Sequence, residues 1–290
     1  MTEPRPGRIS WTLDLEHRYP YGRVSPDPNR FEPLGFPPPW PDRPWIYANV
    51  IASANDVVAW TRRGPGDDPI AAIAGGSPDR PGRRADVELL RYLRAGADAV
   101  AVGAQTLRDQ PELTDTLGIK GTDLGPLLER FRASLGRPRL PRQVIYTRGG
   151  ALDLEARMFD TPEAEVILVT TARGAQRLRA LGSDGKGVRL LIAGEDDLGP
   201  VELARAHRSL FADYGVRYLD CEGGVTILEA LRAAGLVDEI FVTSTDVHID
   251  TSRHEGVKRL PPLAGARLVA EGAVEGDAAF TFRRWRLNER

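Results

Sequence analysis

The chain has 290 residues, 41% of them hydrophobic and 28% charged, with a formal net charge of −2. That length can bury a sizeable core in one large domain or two small ones, and the near-neutral charge gives no reason to expect a nucleic acid or an anionic membrane as partner. A single cysteine, Cys221, excludes an internal disulfide and a cysteine-built metal site; with no apolar run near the roughly 20 residues of a membrane helix and no apolar signal core in Met1–Gly7, a cytoplasmic location is expected.

Residues 1–44 are crowded with prolines, among them Pro4, Pro6, Pro20, Pro37, Pro38 and Pro39, whose fixed φ and missing N–H groups rule out long regular structure. Yet Trp11, Leu13, Tyr19, Phe31 and Trp40 are more large apolar groups than a disordered tail usually holds. The expectation is a proline-rich arm over 1–44 that packs on the body or on a second subunit, followed by one domain over 45–290. Trp45–Ser53 has the length and apolarity of a buried strand. Ala54-Asn55-Asp56 behind it is a sharp turn, since Asn and Asp tolerate left-handed backbone.

Residues 61–84, rich in Gly, Pro, Arg and Asp, are expected as a long surface loop or lid. A helix opens at Asp86, turns Val87, Leu89, Leu90 and Leu93 inward, and ends at Gly96. Arg91 and Arg94 in its last turn complement the helix C-terminus. Asp98–Gly103 is the next strand. Gly103 at its end and Thr106 just beyond are parts a nucleotide site uses, because ligands of open α/β sheets gather at carboxyl ends of strands. An amphipathic helix, Leu124–Leu135, lies inside a connection that ends in Pro138 and Pro141 and could cover a site or an interface. Strands Val144–Thr147, Val166–Thr171 and Val188–Ile192 then alternate with helices Gln176–Leu181 and Val201–Tyr214. Such alternation indicates a sheet covered on both faces.

Val216–Leu219 is a further buried strand, and Cys221-Glu222-Gly223-Gly224 leads from it into a helix. Thr226 and Glu229 have capping-box spacing, which opens the helix at Thr226. Ile227, Leu228 and Leu231 make its apolar face, and Gly235 stands where a left-handed C-terminal cap belongs. Strand, Gly-Gly, helix start is an arrangement whose bare amides and positive dipole end suit a phosphate or diphosphate; a plain tight turn also explains the glycines. Glu239–Thr245 is a strand. Ala266–Ala270 and Ala279–Leu287, separated by short loops, are expected to run antiparallel.

The run Asp-Cys-Glu-Gly-Gly-Val-Thr-Ile-Leu-Glu-Ala-Leu-Arg-Ala-Ala-Gly-Leu-Val-Asp-Glu, Asp220 to Glu239, resembles the signature of the reductase domain of the bacterial bifunctional riboflavin-biosynthesis deaminase-reductase, a dihydrofolate-reductase-like family. Arg94 to Thr106 is a second match, and the resemblance extends from about Trp45 to about Leu287. It implies a three-layer α/β/α fold with a mixed, mostly parallel sheet and antiparallel C-terminal strands. It also implies a homodimer and an NADPH-dependent reductase of a pyrimidine metabolite, similar to 5-amino-6-(5-phosphoribosylamino)uracil reductase. On this resemblance Gly103, Thr106, Asp109, Thr147, Gly223, Gly224, Val225, Thr226, Ile227 and Leu228 hold NADPH, and Arg148 is placed to pair with a 2′-phosphate or is an ordinary surface residue. Ser53, Ser77, Arg94 and Glu222 are the substrate side: Glu222 accepts from the substrate's amine or ring N–H groups, while the serines and Arg94 fix its sugar or phosphate.

Three departures from the family pattern are visible, two on the substrate side and one, after Thr106, on the cofactor side. Asn55 and Asp56 stand where the family has Asp and Gly. The stretch after Thr106 is one residue short, so Gln110 competes with Asp109. Leu113-Thr114-Asp115-Thr116 replaces the arginine expected after Pro111. No proton donor stands out; Asp56 and Glu222 are the candidates, with water as the alternative. The zinc-deaminase half of the bifunctional protein is missing, as are a P-loop, a Gly-x-Gly-x-x-Gly run and a Gly-x-Ser-x-Gly elbow. Asp246, His248 and Asp250 lack companions for a metal site, so none is expected. Three other readings remain open: an NADPH-binding sensor or partner-binding relative without turnover, a reductase of a different pteridine- or pyrimidine-like substrate, and a structural protein whose Gly-Gly turn binds nothing.

Overall fold

The computed structural model describes residues 9–13, 38–62, 64, 66–114, 117–118, 124–161 and 163–288. Its strands in chain order are β1 (Ile9–Leu13), β2 (Trp45–Ala52), β3 (Val57–Ala59), β4 (Ala99–Gly103), β5 (Arg142–Thr147), β6 (Val166–Thr171), β7 (Arg189–Gly194), β8 (Tyr218–Cys221), β9 (Glu239–Ser244), β10 (Lys258–Arg259), β11 (Arg267–Val274) and β12 (Asp277–Arg286). The helices are α1 (Pro69–Ala74), α2 (Pro81–Gly96), α3 (Ala104–Asp109), α4 (Leu124–Ser134), α5 (Ala172–Ala180), α6 (Pro200–Ala212) and α7 (Val225–Ala233). Among the described residues no helix is long and apolar enough to cross a membrane. Two compact units can be distinguished, one taking in residues 9–13, 48–90 and 238–288, the other 38–47 and 91–237.

The second unit is the parallel part. Its strands follow the order β8-β4-β5-β6-β7, each parallel to its neighbour. Strand β6 and the Val144–Thr147 part of β5 are rich in β-branched residues and buried throughout, as strands covered on both faces must be. One apolar cluster joins Val102, Ile145 and Leu168 from the strands to Leu107 of α3, Leu178 of α5 and Phe159 of the connection between β5 and β6.

The first unit is antiparallel at its C-terminal end. β1 pairs with β11, β11 with β12 and β12 with β9. In β12 the alternating residues Phe280, Phe282, Arg284 and Arg286 are buried, the period-2 pattern of a strand with one inward face. The two arginines hold the buried Glu239 of β9: Arg284 Nε donates to Oε2 at 2.7 Å and Arg286 Nε to Oε1 at 3.2 Å.

Several boundaries differ from the sequence expectation. The stretch 61–84 contains α1 and the first turn of α2. Asp68 caps α1 by accepting from the amides of Ile70 and Ala71. Helix α2 starts at Pro81, a residue suited to a first helical position, rather than at Asp86. Arg80 just before it is clamped by Asp277, and bare Gly82 lies so close to the Phe280 ring that a Cβ there would fall 2.2 Å from it. Asp86 is therefore mid-helix, accepting from Thr243 Oγ1 at 2.6 Å. Within the expected arm, β1 occupies a proline-free stretch and pairs Ile9 with Val274 and Leu13 with Ala270; residues 1–8 and 14–37 lie outside the described residues.

Candidate functional site

Because β5, β4 and β8 run parallel, their last residues Thr147, Gly103 and Cys221 share one edge. Three of the helices that follow parallel strands have no side chain capping their first turn, α3 behind Gly103, α6 behind Gly199 and α7 behind Gly224, and of these α3 and α7 follow β4 and β8, which are neighbours in the sheet. Helix α5 is built differently, for the hydroxyl of Thr171 accepts from the amide of Gly174 at 3.0 Å and closes its start. An uncapped start leaves backbone donors and the positive dipole end directed outward.

The expected cap at Thr226 is not formed. Helix α7 begins at Val225, with Gly224 as the N-cap at φ 50°. That left-handed φ, accessible to glycine at little cost, reverses the chain before Thr226, which falls inside the first turn and is exposed. The earliest helix amide to bond back is that of Ile227, to Gly224 O at 3.1 Å. At the other end the expected cap holds. Gly235 takes φ 66°, and the amides of Gly235 and Leu236 reach Arg232 O and Leu231 O, the paired bonds of a Schellman motif.

The two glycines do different work. A Cβ on buried Gly223 would stand 2.2 Å from Val102 Cα and 2.6 Å from Gly103 N, so this glycine lets the loop lie flat on β4. Exposed Gly224 has room: a Cβ would meet Thr106 Oγ1 at 3.5 Å, in the space between the two helix starts. Bare amides of Gly224, Val225 and Thr226 next to the Thr106 hydroxyl are a group of donors of the kind that suits an anion. The expected cofactor residues thus sort into accessible ones (Gly224, Val225, Thr226, and the half-buried Gly103 and Thr106) and packed ones (Gly223, Ile227, Leu228 and Thr147). Asp109 ends α3, exposed, with its carboxylate taken by the side chain of Gln105 at 2.7 Å. Exposed Arg148 lies 3.3 Å from Asp197.

Of the residues expected on the substrate side, Arg94 and Glu222 meet. Arg94 Nε and Nη2 donate to the two carboxylate oxygens of Glu222 in a fork-to-fork pair, with both side chains only 8% exposed. Arg94 sits in the last turn of α2, and this turn is held from beneath. Tyr47 Oη donates to Leu93 O at 2.7 Å. Arg132 Nη1 donates to Ala95 O at 3.1 Å and Ala97 O at 2.6 Å, and Arg137 donates to Gly96 O. Arg132 was not legible as a site residue, although it carried a signal: it continues the four-residue spacing of Leu124 and Leu128 on α4, the stripe that faces inward.

In the first unit, Ser53 is buried and fully engaged in its own turn. Its hydroxyl donates to Asn55 Oδ1 and accepts from Val57 N, both at 2.9 Å. Asn55 in turn exchanges two bonds with Ile249. Asp56 adopts φ 61°, the left-handed conformation that the turn demands. Ser77 is exposed in the turn between α1 and α2, accepting from Asp79 N at 3.2 Å.

Other titratable groups near the carboxyl edge are locked away. Burial pushes the Cys221 thiol up to about 12 and lowers His207 to about 4. Leu203 O can only accept, so His207 Nδ1 carries its proton and Nε2 accepts from Tyr146 Oη at 2.8 Å.

Known proteins resemble this chain along most of its length. The model of the family described as RibD C-terminal domain matches residues 67–247. A 2,5-diamino-6-ribosylamino-4(3H)-pyrimidinone 5′-phosphate reductase from Archaeoglobus fulgidus is 27% identical over 201 residues, 69% of this chain and 79% of the relative. Among solved structures, a pyrimidine reductase-like protein from Corynebacterium diphtheriae superposes with a TM-score of 0.59 at 22% identity, covering 86% of this chain and 94% of the other. RibD from Acinetobacter baumannii superposes with a TM-score of 0.57 at 18% identity, over 85% of this chain. The present chain spans only 58% of that protein's length.

Proposed function

This chain belongs to the RibD C-terminal domain family, and we propose that it is a riboflavin-pathway pyrimidine reductase that uses NADPH to reduce an aminopyrimidine ribosyl phosphate. The carrying observation is the pair of uncapped helix starts that meet between Gly224 and Thr106. A nicotinamide cofactor held there would supply the hydride. The chain's own part is to bind and orient. Amides of Gly224, Val225 and Thr226 would take the diphosphate, with Gly103 and Thr106 beside it, Gly223, Ile227 and Leu228 shaping the loop behind it, and Thr147 and Asp109 toward the nucleoside. Arg148 would favour a 2′-phosphate by charge and fork geometry.

Glu222 would accept from the amine or ring N–H donors of the pyrimidine, next to Arg94. Ser53 and Ser77 remain candidate contacts for sugar or phosphate, Ser77 being the exposed one of the two. No side chain is assigned as proton donor; water serves. The proposal includes a homodimer, a cytoplasmic location, and an arm over 1–44 ahead of a reductase domain over 45–290. The identity of the Archaeoglobus relative supports the substrate class.

The test is calorimetric titration with NADPH and NADH, followed by turnover of the phosphorylated aminopyrimidine watched through loss of the reduced cofactor's absorbance. NADPH binding with turnover is the expected result. Binding without turnover would leave a nucleotide-binding relative with no reductase activity, a reading that the self-satisfied Ser53 hydroxyl favours. No heat with either cofactor overturns both.

A further inference from the structure

We propose that Asp86 of α2 is the proton source for the reduction, supplying through a bridging water the proton that the reduced substrate takes up. The inference rests on the reductase reading and deepens it by giving the water of that reading its acid. Asp86 faces the sheet from within the helix. It stands four residues after Gly82 and three before Leu89, both buried, so it occupies the apolar stripe of α2 at a place where leucine or alanine would serve helix and core better. The stripe is drawn against β12: Asp277 holds Arg80 and also the amide of Gly82, the latter at 3.0 Å, and Gly82 lies flush on the Phe280 ring. One oxygen of Asp86 accepts from Thr243 Oγ1 at 2.6 Å. Among the described residues no group meets the other oxygen, and the side chain is half-buried. That oxygen is open to a water or a ligand.

The carboxyl group lies at the edge where the expected substrate residues of this unit stand. Thr243 is the last residue but one of β9. Two residues on, the amide of Thr245 donates at 2.9 Å to the carbonyl of Ala52, the end of β2, which directly precedes Ser53. The hydroxyl of Thr245 donates at 2.8 Å to Ile73 O of α1, the helix that leads into the turn carrying Ser77. One edge thus gathers Ser53, the Ser77 turn and Asp86.

Burial raises Asp86 from 3.8 to about 6, against the bond from Thr243 and the charge of Arg83, which lies one turn back on α2. On the same side of β9 and β12, Glu239, Arg284 and Arg286 are paired with one another. Near neutral pH both forms of the carboxyl are populated, as giving up and regaining a proton in each turnover requires. The ring-opened form of an N-ribosyl amine carries a C=N bond. When a hydride from the reduced nicotinamide forms the C–H bond, the π electrons pass to nitrogen. The carboxyl gives its proton to the water as the water gives one of its own to nitrogen, forming the N–H bond. Asp86 is left as carboxylate, the nicotinamide is oxidised, and solvent returns the proton.

The experiment follows kcat for the phosphorylated aminopyrimidine with NADPH from about pH 5 to about pH 8, a range that spans the titration of the group. Wild type, Asp86→Asn and Thr243→Val are compared. NADPH affinity, melting temperature and the infrared difference titration of the carboxyl stretch in the cofactor-free protein are read alongside. In the wild type kcat should fall as pH rises through about 6, because the protonated form is the working one. Asp86→Asn should lose roughly 100-fold in kcat at the acid end and lose the pH dependence too, while keeping its NADPH affinity and its melting temperature at neutral pH. Thr243→Val removes a bond that lowers the group, so the kcat limb and the infrared titration should both move to higher pH.

A kcat limb that survives in Asp86→Asn overturns the inference, as does a wild type whose kcat does not fall across that range. So does a Thr243→Val protein whose infrared titration moves while its kcat limb stays. Should Asp86→Asn fail to fold, the Thr243→Val comparison decides alone. An inactive wild type overturns the reductase reading and this inference with it, whereas an active wild type with any of those results loses this inference only.

Discussion

His207 and Asp86 contribute to the acid side of the stability profile from opposite directions. Burial lowers His207 from 6.5 to about 4, so as pH falls through 6.5 the unfolded chain gains a proton that the folded one refuses. Stability present above pH 6.5 is lost progressively down to about pH 4, to the order of 3 kcal/mol. Burial raises Asp86 from 3.8 to about 6, against the lowering effect of its bond from Thr243. Here the folded chain takes the proton first, and stability rises as pH falls from about 6 to 3.8, again by roughly 3 kcal/mol. The two slopes oppose each other over nearly the same window. Urea unfolding at stepped pH is expected to be nearly flat from pH 6 to 4 for these two groups in the wild type. Asp86→Asn should make stability fall with acid, whereas His207→Gln should make it rise.

Asp56 offers a second check at this scale. It holds φ 61° with an exposed side chain, so Asp56→Gly should stabilise by about 0.5–1 kcal/mol by relieving left-handed strain. A melting temperature below that of the wild type would mean that the Asp56 side chain contributes something its exposure does not reveal. The left-handed turn was legible from Asn55 and Asp56. The self-contained bonding of Ser53 was not, since its partners, Asn55 and Val57, become visible only when the hairpin closes.

Helices differ here in how their ends are closed: Thr171 caps α5, whereas no side chain caps α3 or α7. Alanine at position 223 would bring a Cβ to 2.2 Å from Val102 Cα, so Gly223→Ala is expected to destabilise by roughly 3 kcal/mol or more, because backbone on both sides must shift. Gly224→Ala has space and should cost only about 1 kcal/mol for its positive φ, while weakening NADPH binding; calorimetry on the two variants separates the roles. Arg132→Met should cost roughly 3–5 kcal/mol in denaturant unfolding, since several buried carbonyls at the end of α2 lose their donor together.

Thr226 illustrates why the sequence misplaced one helix start by a residue. The capping-box spacing was present, but glycine at 224 reached the reversing conformation first, and a local preference yielded to the packing of Gly223 on β4. Arg132 illustrates the converse. Its spacing placed it on the inward stripe of α4, yet which carbonyls it would meet depends on where α2 ends, information that no local pattern carries.

Across the whole chain, the parallel unit was readable because strands buried on both faces are continuous apolar runs of characteristic length. The antiparallel unit was readable mainly in β12, through its alternation. Short elements were missed: β3, β10, α1 and α3 are too brief to develop a periodic signal. Strand β1 was foreseen only as an extended arm. Removing residues 1–43 would uncover the outer edge of β11, a strand with unpaired amides that invites association. The truncated protein is expected to melt at lower temperature and to scatter more light at equal concentration. Unchanged melting and scattering would mean that the β1–β11 pairing adds nothing to stability.

The flush contact of Gly223 on Val102 has a thermodynamic corollary. With no side chain between loop and sheet, the amides that follow have little slack to give up when a ligand arrives. Cofactor association should therefore carry a small entropic penalty from loop ordering, and protection of the Val225 and Thr226 amides against hydrogen exchange should change chiefly through direct contact rather than through a general stiffening of the segment.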